Sequence, residues 1–247
     1  MIEREIALQN RLLSVLKAQD LDLLLPSFTV HECPAGKILQ ESGTDVRYAW
    51  FPLSAAAASF VVAADANRLV DAALIGREGA VGGLVSAGRL PAYARAHVQF
   101  GGYFLRLPLA TMAQARQQSP SIANWISRYA DCLVAQLFQS AACNASHTIA
   151  QRLSRWLLAT RDRIGQDEII VTQEQLGEML GVGRSFINRS LRQLSQKGIL
   201  GSRRRRVLIL DLEMLRATAC DCNDHIREHF DHVLSGVYPR EVGSVAA

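Results

Sequence analysis

Residues 172–194, TQEQLGEMLGVGRSFINRSLRQL, decide how the C-terminal third of the chain folds. Thr172 and Gln175 stand at capping-box spacing, a hydroxyl three residues before an amide, so a helix starts there. Leu176, Met179 and Leu180 give that helix one apolar face. Gly181-Val182-Gly183 then breaks it. Gly181 can take the left-handed conformation of a tight interhelical turn, and Gly177 leaves room where a second helix crosses. The second helix is predicted from about Arg184 to Lys197, burying Phe186, Ile187, Leu191 and Leu194. Arg184, Ser185, Asn188, Arg189 and Arg192 are left pointing outward.

Charge is concentrated in the same place. From Thr172 to Arg206 the basic residues are Arg184, Arg189, Arg192, Lys197 and Arg203 to Arg206, against only Glu174 and Glu178. The whole chain carries a net +4, so the remainder is close to neutral. Such a local positive field is the footprint of a surface that binds phosphates, and a helix-turn-helix bearing it points to double-stranded DNA. The sequence KGILGSRRRRVLILDLEML that follows reads as a β-hairpin wing. Its strands are Ile199-Leu200 and Val207 to Leu210, joined by Gly201-Ser202 and the four arginines Arg203, Arg204, Arg205 and Arg206. Cations on such a wing lie along the sugar-phosphate backbone and add affinity more than sequence choice.

At 247 residues, 49% hydrophobic and 20% charged, the chain is expected to hold two globular domains. No apolar run reaches membrane-spanning length, and the acidic start MIEREIALQN does not read as a signal peptide. Five cysteines, an odd number, argue against structural disulfides and for a cytoplasmic location.

Upstream, residues 8–25 suggest a short amphipathic helix, with Leu12, Leu13, Leu16 and Leu23 to Leu25. From Phe28 to about Pro108 come short apolar pieces broken by glycine and proline, the pattern of an all-β roll or barrel. The segment IGREGAVGG reads as a strand-to-turn connection. A long helix is expected over 119–146, with a stripe of Ile122, Ile126, Tyr129, Leu133, Leu137 and Ser140 or Ala141. That stripe wants a partner helix, and a symmetric homodimer supplies one, unless it packs on the chain's own roll. HTIAQRLSRWLLATRDRI, residues 147–164, forms a further amphipathic helix that leads into the DNA-binding part. The expected domains are therefore 1–118, 119–146 and 147–247.

A β-roll, a long helix and a winged helix-turn-helix with TQEQLGEMLGVGRSFINRSLRQL resemble the Crp/Fnr family of transcription regulators. The phrases YAWFP, IGREGAVG, AACNASH and RLSRWLL and the late Cys220-x-Cys222 resemble one bacterial branch of it. The resemblance implies an α+β chain: an N-terminal jelly roll like a cyclic-nucleotide-binding domain, a long dimerisation helix and a C-terminal winged helix-turn-helix. It implies a non-enzymatic homodimer on an inverted-repeat operator, and RNA polymerase as a partner for an activator. It places the base-reading residues at Arg184, Ser185 and Arg189, with Ser185 where many members carry a glutamate, so the half-site is expected to differ. Arginine's fork suits guanine O6 and N7, while Thr172, Gln173 and Lys197 fall where backbone contacts are expected.

The family's cyclic-nucleotide cassette pairs a glycine-glutamate with a later arginine-serine. Its nearest match is Gly82-Gly83, then Arg95 in Tyr93-Ala94-Arg95-Ala96. Gly83 replaces the carboxylate and no serine follows Arg95, so cyclic AMP or GMP is not the expected effector. Arg77, Arg89 and Arg95 can serve another anion or stay solvated. An Fnr-like iron–sulfur cluster needs clustered N-terminal cysteines, and only Cys33 lies there. Cys33 and Cys132 read as small core residues, His31 and His97 as strand residues, and Cys143 as a thiol near the hinge that can report oxidation. In the tail, Cys220, Cys222, His225 and His229 (with His232) are of the types zinc prefers, yet their spacing matches no zinc module. The tail reads first as a surface helix, and no metal is assigned from sequence. No nucleophile elbow or phosphate-cradling loop is present. The roll is expected to sense an unidentified signal or to serve only as a dimer scaffold. Two alternatives stay open: a regulator that answers to a cyclic nucleotide, and a metal-binding cupin-like enzyme with an appended DNA-binding domain.

Overall fold

The computed structural model describes residues 2–65, 68–84 and 90–238. The chain opens with three short helices, α1 (Arg4–Ala7), α2 (Arg11–Ser14) and α3 (Ala18–Leu24), where the sequence suggested one. Asn10 makes the break. Its Oδ1 accepts from the Leu13 amide at 3.1 Å and caps α2, while its Nδ2 donates to the carbonyls of Pro52 and Gly79, each at 3.0 Å. Leu12, Leu13, Leu21 and Leu24 still reach the core.

Eight strands follow: β1 (Thr29–Cys33), β2 (Ile38–Gln40), β3 (Tyr48–Pro52), β4 (Ala57–Asp65), β5 (Arg68–Ile75), β6 (Val81–Gly82), β7 (Arg95–Phe100) and β8 (Gly102–Pro108). They form two antiparallel sheets, ordered β1-β8-β3-β6 and β2-β7-β4-β5, which make the roll. Between them Cys33, Trp50, Ile75, Val81, Val98 and Phe104 form one buried cluster. His31 stacks edge-on against Trp50, and Arg106 lies over the rings of Tyr48 and Trp50.

After α4 (Leu109–Gln118) comes the long helix α5 (Pro120–Ser146). Its expected stripe divides. Ile122, Ile126 and Tyr129, together with Trp125, are buried against the N-terminal helices and the roll, and Leu133 is half-buried. The Trp125 indole donates to the Leu12 carbonyl at 3.0 Å. Tyr129 is used fully: its hydroxyl donates to the Ala80 carbonyl and accepts from the Ala80 amide, both at 2.8 Å. A Cβ on Gly79 would lie 2.4 Å from that hydroxyl, which is why glycine stands there. Tyr129→Phe leaves both backbone groups of Ala80 unpaired, so a loss of about 1–3 kcal/mol is expected in denaturant unfolding.

The C-terminal part holds α6 (Ile149–Ile164), β9 (Glu168–Ile170), α7 (Gln173–Leu180), α8 (Arg184–Gln196), β10 (Leu200–Arg203), β11 (Arg206–Ile209), α9 (Leu212–Thr218) and α10 (Cys222–Val233). Its core is Leu153, Leu157, Leu176, Ile187, Leu191, Leu194 and Val207 among others. The tail folds back. On α10, His229 meets Asp131 of α5 at 2.7 Å and Arg227 meets Asp162 of α6 at 2.7 Å, while Arg128 of α5 donates to the Val233 carbonyl at 3.0 Å. Among the described residues, no helix is long and apolar enough to cross a membrane.

The segment IGREGAVG, residues 75–82, joins the roll to this C-terminal part. Glu78 accepts from Arg163 of α6 at 2.8 Å, both side chains being buried. A Cβ on Gly76 would meet the Arg163 side chain at 2.5 Å, so the close approach of α6 requires glycine there.

Candidate nucleic-acid interface

The helix-turn-helix is built by local chemistry. Thr172 Oγ1 accepts from the Gln175 amide at 3.1 Å, and Gln175 Oε1 accepts from the Thr172 amide at 2.8 Å, closing the capping box of α7. Gly181 ends α7 with φ +65°, and the Val182 amide donates to the Gly177 carbonyl at 2.9 Å. A Cβ on Gly177 would stand 2.8 Å from the Val182 carbonyl oxygen, so a larger residue would push the turn away.

On α8, Ile187, Ser190, Leu191 and Leu194 are buried. Arg184, Ser185, Arg189 and Arg192 are exposed, Asn188 is half-buried, and Lys197 caps the exposed C-terminal end. Phe186 departs from expectation. It is 48% exposed rather than buried, with the Arg189 guanidinium 5.8 Å from its ring centroid. Ile187, Leu191 and Leu194 complete the buried stripe by themselves, and Phe186 lies one position (about 100°) off it. An exposed ring beside Arg189 can pack on a thymine methyl, a contact the sequence reading missed by assigning Phe186 to the core.

The wing also differs in detail. Its strands run further toward the tip than expected, pairing Gly201 with Leu208, Ser202 with Val207 and Arg203 with Arg206. Only Arg204 and Arg205 form the turn, Arg205 at φ +61°. A left-handed arginine costs about 1–2 kcal/mol. Arg203, Arg204, Arg205 and Arg206 are all exposed, with Arg206 paired to Glu168 at 2.8 Å. The Arg205 carbonyl accepts from the Val171 amide at 3.1 Å, which ties the tip to the start of α7. As a result Thr172, Gln173, Arg184 and the four wing arginines line one groove. Guanidinium forks along such a groove fit phosphate oxygens and guanine edges.

The other predicted sites fare differently. Gly82, Gly83 and Arg95 do not assemble into a pocket. Gly82 stands on β6 in one sheet and Arg95 on β7 in the other. Gly82 has φ +106°, and a Cβ there would lie 2.2 Å from the Tyr48 carbonyl oxygen, so this glycine serves backbone packing. Gly83 is buried in the turn after β6. Arg95 is paired with Glu41 at 2.8 Å and lines a cleft between the roll and α7 with His97, Asp71 and Glu178. Burial pushes the Asp71 carboxyl up. Arg89 lies outside the described residues.

In the tail, Cys220 and Cys222 are buried, but His225 is exposed and His229 is engaged with Asp131. The two thiols gather instead with Cys143 and His147 at the end of α5. Burial pushes the Cys143 thiol up to about 12, and the Cys220 thiol up as well. Cys33 and Cys132 are buried core residues.

Residues 151–218 match the family model of the Crp-like helix-turn-helix domain. A search of the curated proteins found no match in sequence. Among solved structures the chain is similar to FixK2 from Bradyrhizobium japonicum, at 16% identity and TM-score 0.67, covering 78% of this chain and 98% of that one. It is similar to a transcriptional regulator of the CRP family from Thermus thermophilus, at 16% identity and TM-score 0.64, covering 76% and 96%. The c-di-GMP responsive global regulator CLP from Xanthomonas campestris shares 17% identity and TM-score 0.63, covering 79% and 100%. The chain thus carries a Crp-like helix-turn-helix domain on the fold of the Crp/Fnr transcription regulators.

Proposed function

We propose that this protein is a homodimeric, sequence-specific, DNA-binding transcription regulator of the bacterial cytoplasm. The observation that carries the reading is the groove that Arg184 of α8 lines with the wing arginines 203–206, with Arg189 and Arg192 also exposed on α8. The α8 helix enters the major groove, where Arg184 and Arg189 read guanines and Ser185, Asn188 and Phe186 contact neighbouring bases. Thr172, Gln173, Lys197 and the wing hold phosphates. Two protomers place their α8 helices about 34 Å apart on an inverted repeat. The roll acts on the DNA-binding part through residues 75–82, so a signal read by the roll reaches α6 there.

Cyclic AMP and cyclic GMP are not the effectors in this reading. The Arg95 guanidinium is paired with Glu41, and glycine replaces the carboxylate that would hold a ribose hydroxyl. A cupin-like enzyme is also disfavoured. Among the described residues, the one close group of three or more Cys, His, Asp or Glu ligands lies outside the roll.

Selection of bound sites from random DNA tests the proposal. A two-fold symmetric motif with guanines in each half-site is expected. Arg189→Ala should weaken binding to that motif by about 1–3 kcal/mol per half-site and relax one base position, with stability unchanged. No enriched motif, with or without added cyclic nucleotide or Zn²⁺, overturns the reading; so does full specific affinity in Arg189→Ala.

A further inference from the structure

We infer that Cys143, His147, Cys220 and Cys222 form a tetrahedral Zn²⁺ site that ties the end of the long helix to the C-terminal tail. The four donor atoms come from segments more than seventy residues apart, and all lie within 4.8 Å of one another. Cys143 Sγ is 3.5 Å from Cys220 Sγ, and Cys222 Sγ is 3.5 Å from His147 Nδ1. Zinc bond lengths of about 2.3 Å to sulfur and 2.0–2.1 Å to nitrogen give tetrahedral edges of about 3.8 Å for S···S and 3.5 Å for S···N. The cluster is therefore already close to the required size.

Simpler readings explain less. A disulfide needs the sulfurs at about 2.05 Å, and one between Cys143 and Cys220 leaves Cys222 and His147 unaccounted for. Ordinary core packing explains three small buried side chains but not a half-buried imidazole turned onto a thiol. The buried cluster here consists of the three cysteines alone, which are three of the five in the chain. Three thiolates and an imidazole select zinc over hard cations such as Ca²⁺ and Mg²⁺, and four protein ligands leave no open position. The site is structural, not catalytic. Three thiolates leave one excess negative charge on the loaded site, and the Arg155 guanidinium acts on Cys143 to offset it.

Position gives the site its consequence. His147 caps the C-terminal end of α5, and the next residue, Thr148, caps the N-terminal end of α6 through a box with Gln151. The break between the long helix and the DNA-binding part therefore lies at the metal. Cys220 and Cys222 bring to the same point the segment that leads out of α9 into α10. A loaded site fixes the angle at this joint; removing the ion frees it. The site stands whether or not the chain binds DNA.

The test uses the full-length protein, purified under reducing conditions without chelator. Elemental analysis is expected to find about one zinc per protomer, released when a mercurial titrates the wild-type thiols. Cobalt(II) added to the metal-free protein should give the intense visible bands of a tetrahedral, thiolate-ligated ion. Cys143→Ser and Cys220→Ser should each drop zinc below about 0.1 per protomer, with Cys33→Ser unaffected. The wild-type cobalt spectrum and thiol-linked release decide the matter even where a variant fails to fold. Absence of both zinc and tetrahedral cobalt bands overturns the proposal. So does zinc retained by the Cys143→Ser, Cys220→Ser double variant, or a Cys143–Cys220 disulfide in protein purified without oxygen.

Discussion

Replacing Glu78 with alanine is expected to destabilise the protein by about 3–5 kcal/mol, the cost of breaking a buried ion pair from one side. The Glu78 side chain is 1% exposed and that of Arg163 is 4% exposed. Arg163 Nε lies 2.8 Å from Glu78 Oε1 and 2.9 Å from the Leu74 carbonyl oxygen, and Arg163 Nη1 donates to the Ala159 carbonyl at 2.9 Å. Burial alone would favour loss of the guanidinium proton; the neighbouring carboxylate reverses that direction. Without Glu78 the buried cation loses its paired carboxylate and keeps hydrogen bonds to the Leu74 and Ala159 carbonyls. For a chain of this size the loss lowers the melting temperature by about 6–20 °C. The double change Glu78→Leu with Arg163→Met should recover most of the stability, because no uncompensated charge remains. The cost falls on the joint between the roll and α6, so the single variant should also separate into two thermal transitions. A loss below about 1 kcal/mol in Glu78→Ala would mean that this pair does not hold the joint.

The parts of the fold legible in sequence are those set by neighbours along the chain. The α7 capping box, the left-handed Gly181 and the small Gly177 each act within a few residues, and each stands where the pattern put it. What was misread depended on partners distant in sequence. Periodicity marks Ile122, Ile126 and Tyr129 as one apolar face of α5 and leaves open whether a partner helix or the chain itself covers it; the N-terminal helices and the Ala80 backbone do. Phe186 looked like core because an aromatic near a buried stripe usually is; only the crossing of α7 and α8 shows the stripe complete without it. Arg205 in a left-handed turn carries no glycine to announce it. The thiols of Cys220 and Cys222 stand out in sequence beside His225 and His229, but those histidines are not the groups that gather with them. The partners Cys143 and His147 lie 77 and 75 residues away from Cys220 and Cys222 respectively, in a phrase, AACNASH, that by itself reads as the end of a helix.

Phe138→Glu is expected to abolish the homodimer while leaving each protomer folded. The first half of α5 is committed to the chain's own core, which leaves the second half for a partner helix. There Val134, Leu137 and Phe138 are 45%, 44% and 72% exposed, and Ala141 and Ala145 continue the exposed face. Val134, Phe138, Ala141 and Ala145 follow one another at spacings of four, three and four, the seam of a two-helix coiled coil. Phe138 is the largest apolar group on that seam, and with Val134 and Leu137 it makes an exposed apolar patch suited to anchor a second copy of the helix. A truncated hot spot costs about 2–4 kcal/mol, and a glutamate adds the desolvation of one charge on each side of the two-fold axis. Sedimentation should therefore find a dimer for the wild type and a monomer for Phe138→Glu at micromolar concentration. The near-native exposure of residue 138 in the free protomer predicts an unchanged circular dichroism spectrum. In the proposed reading operator affinity should fall with the dimer, since a lone protomer gains only one half-site. A variant that stays dimeric would place the interface elsewhere, and the spacing of half-sites would then have to be derived from a different axis.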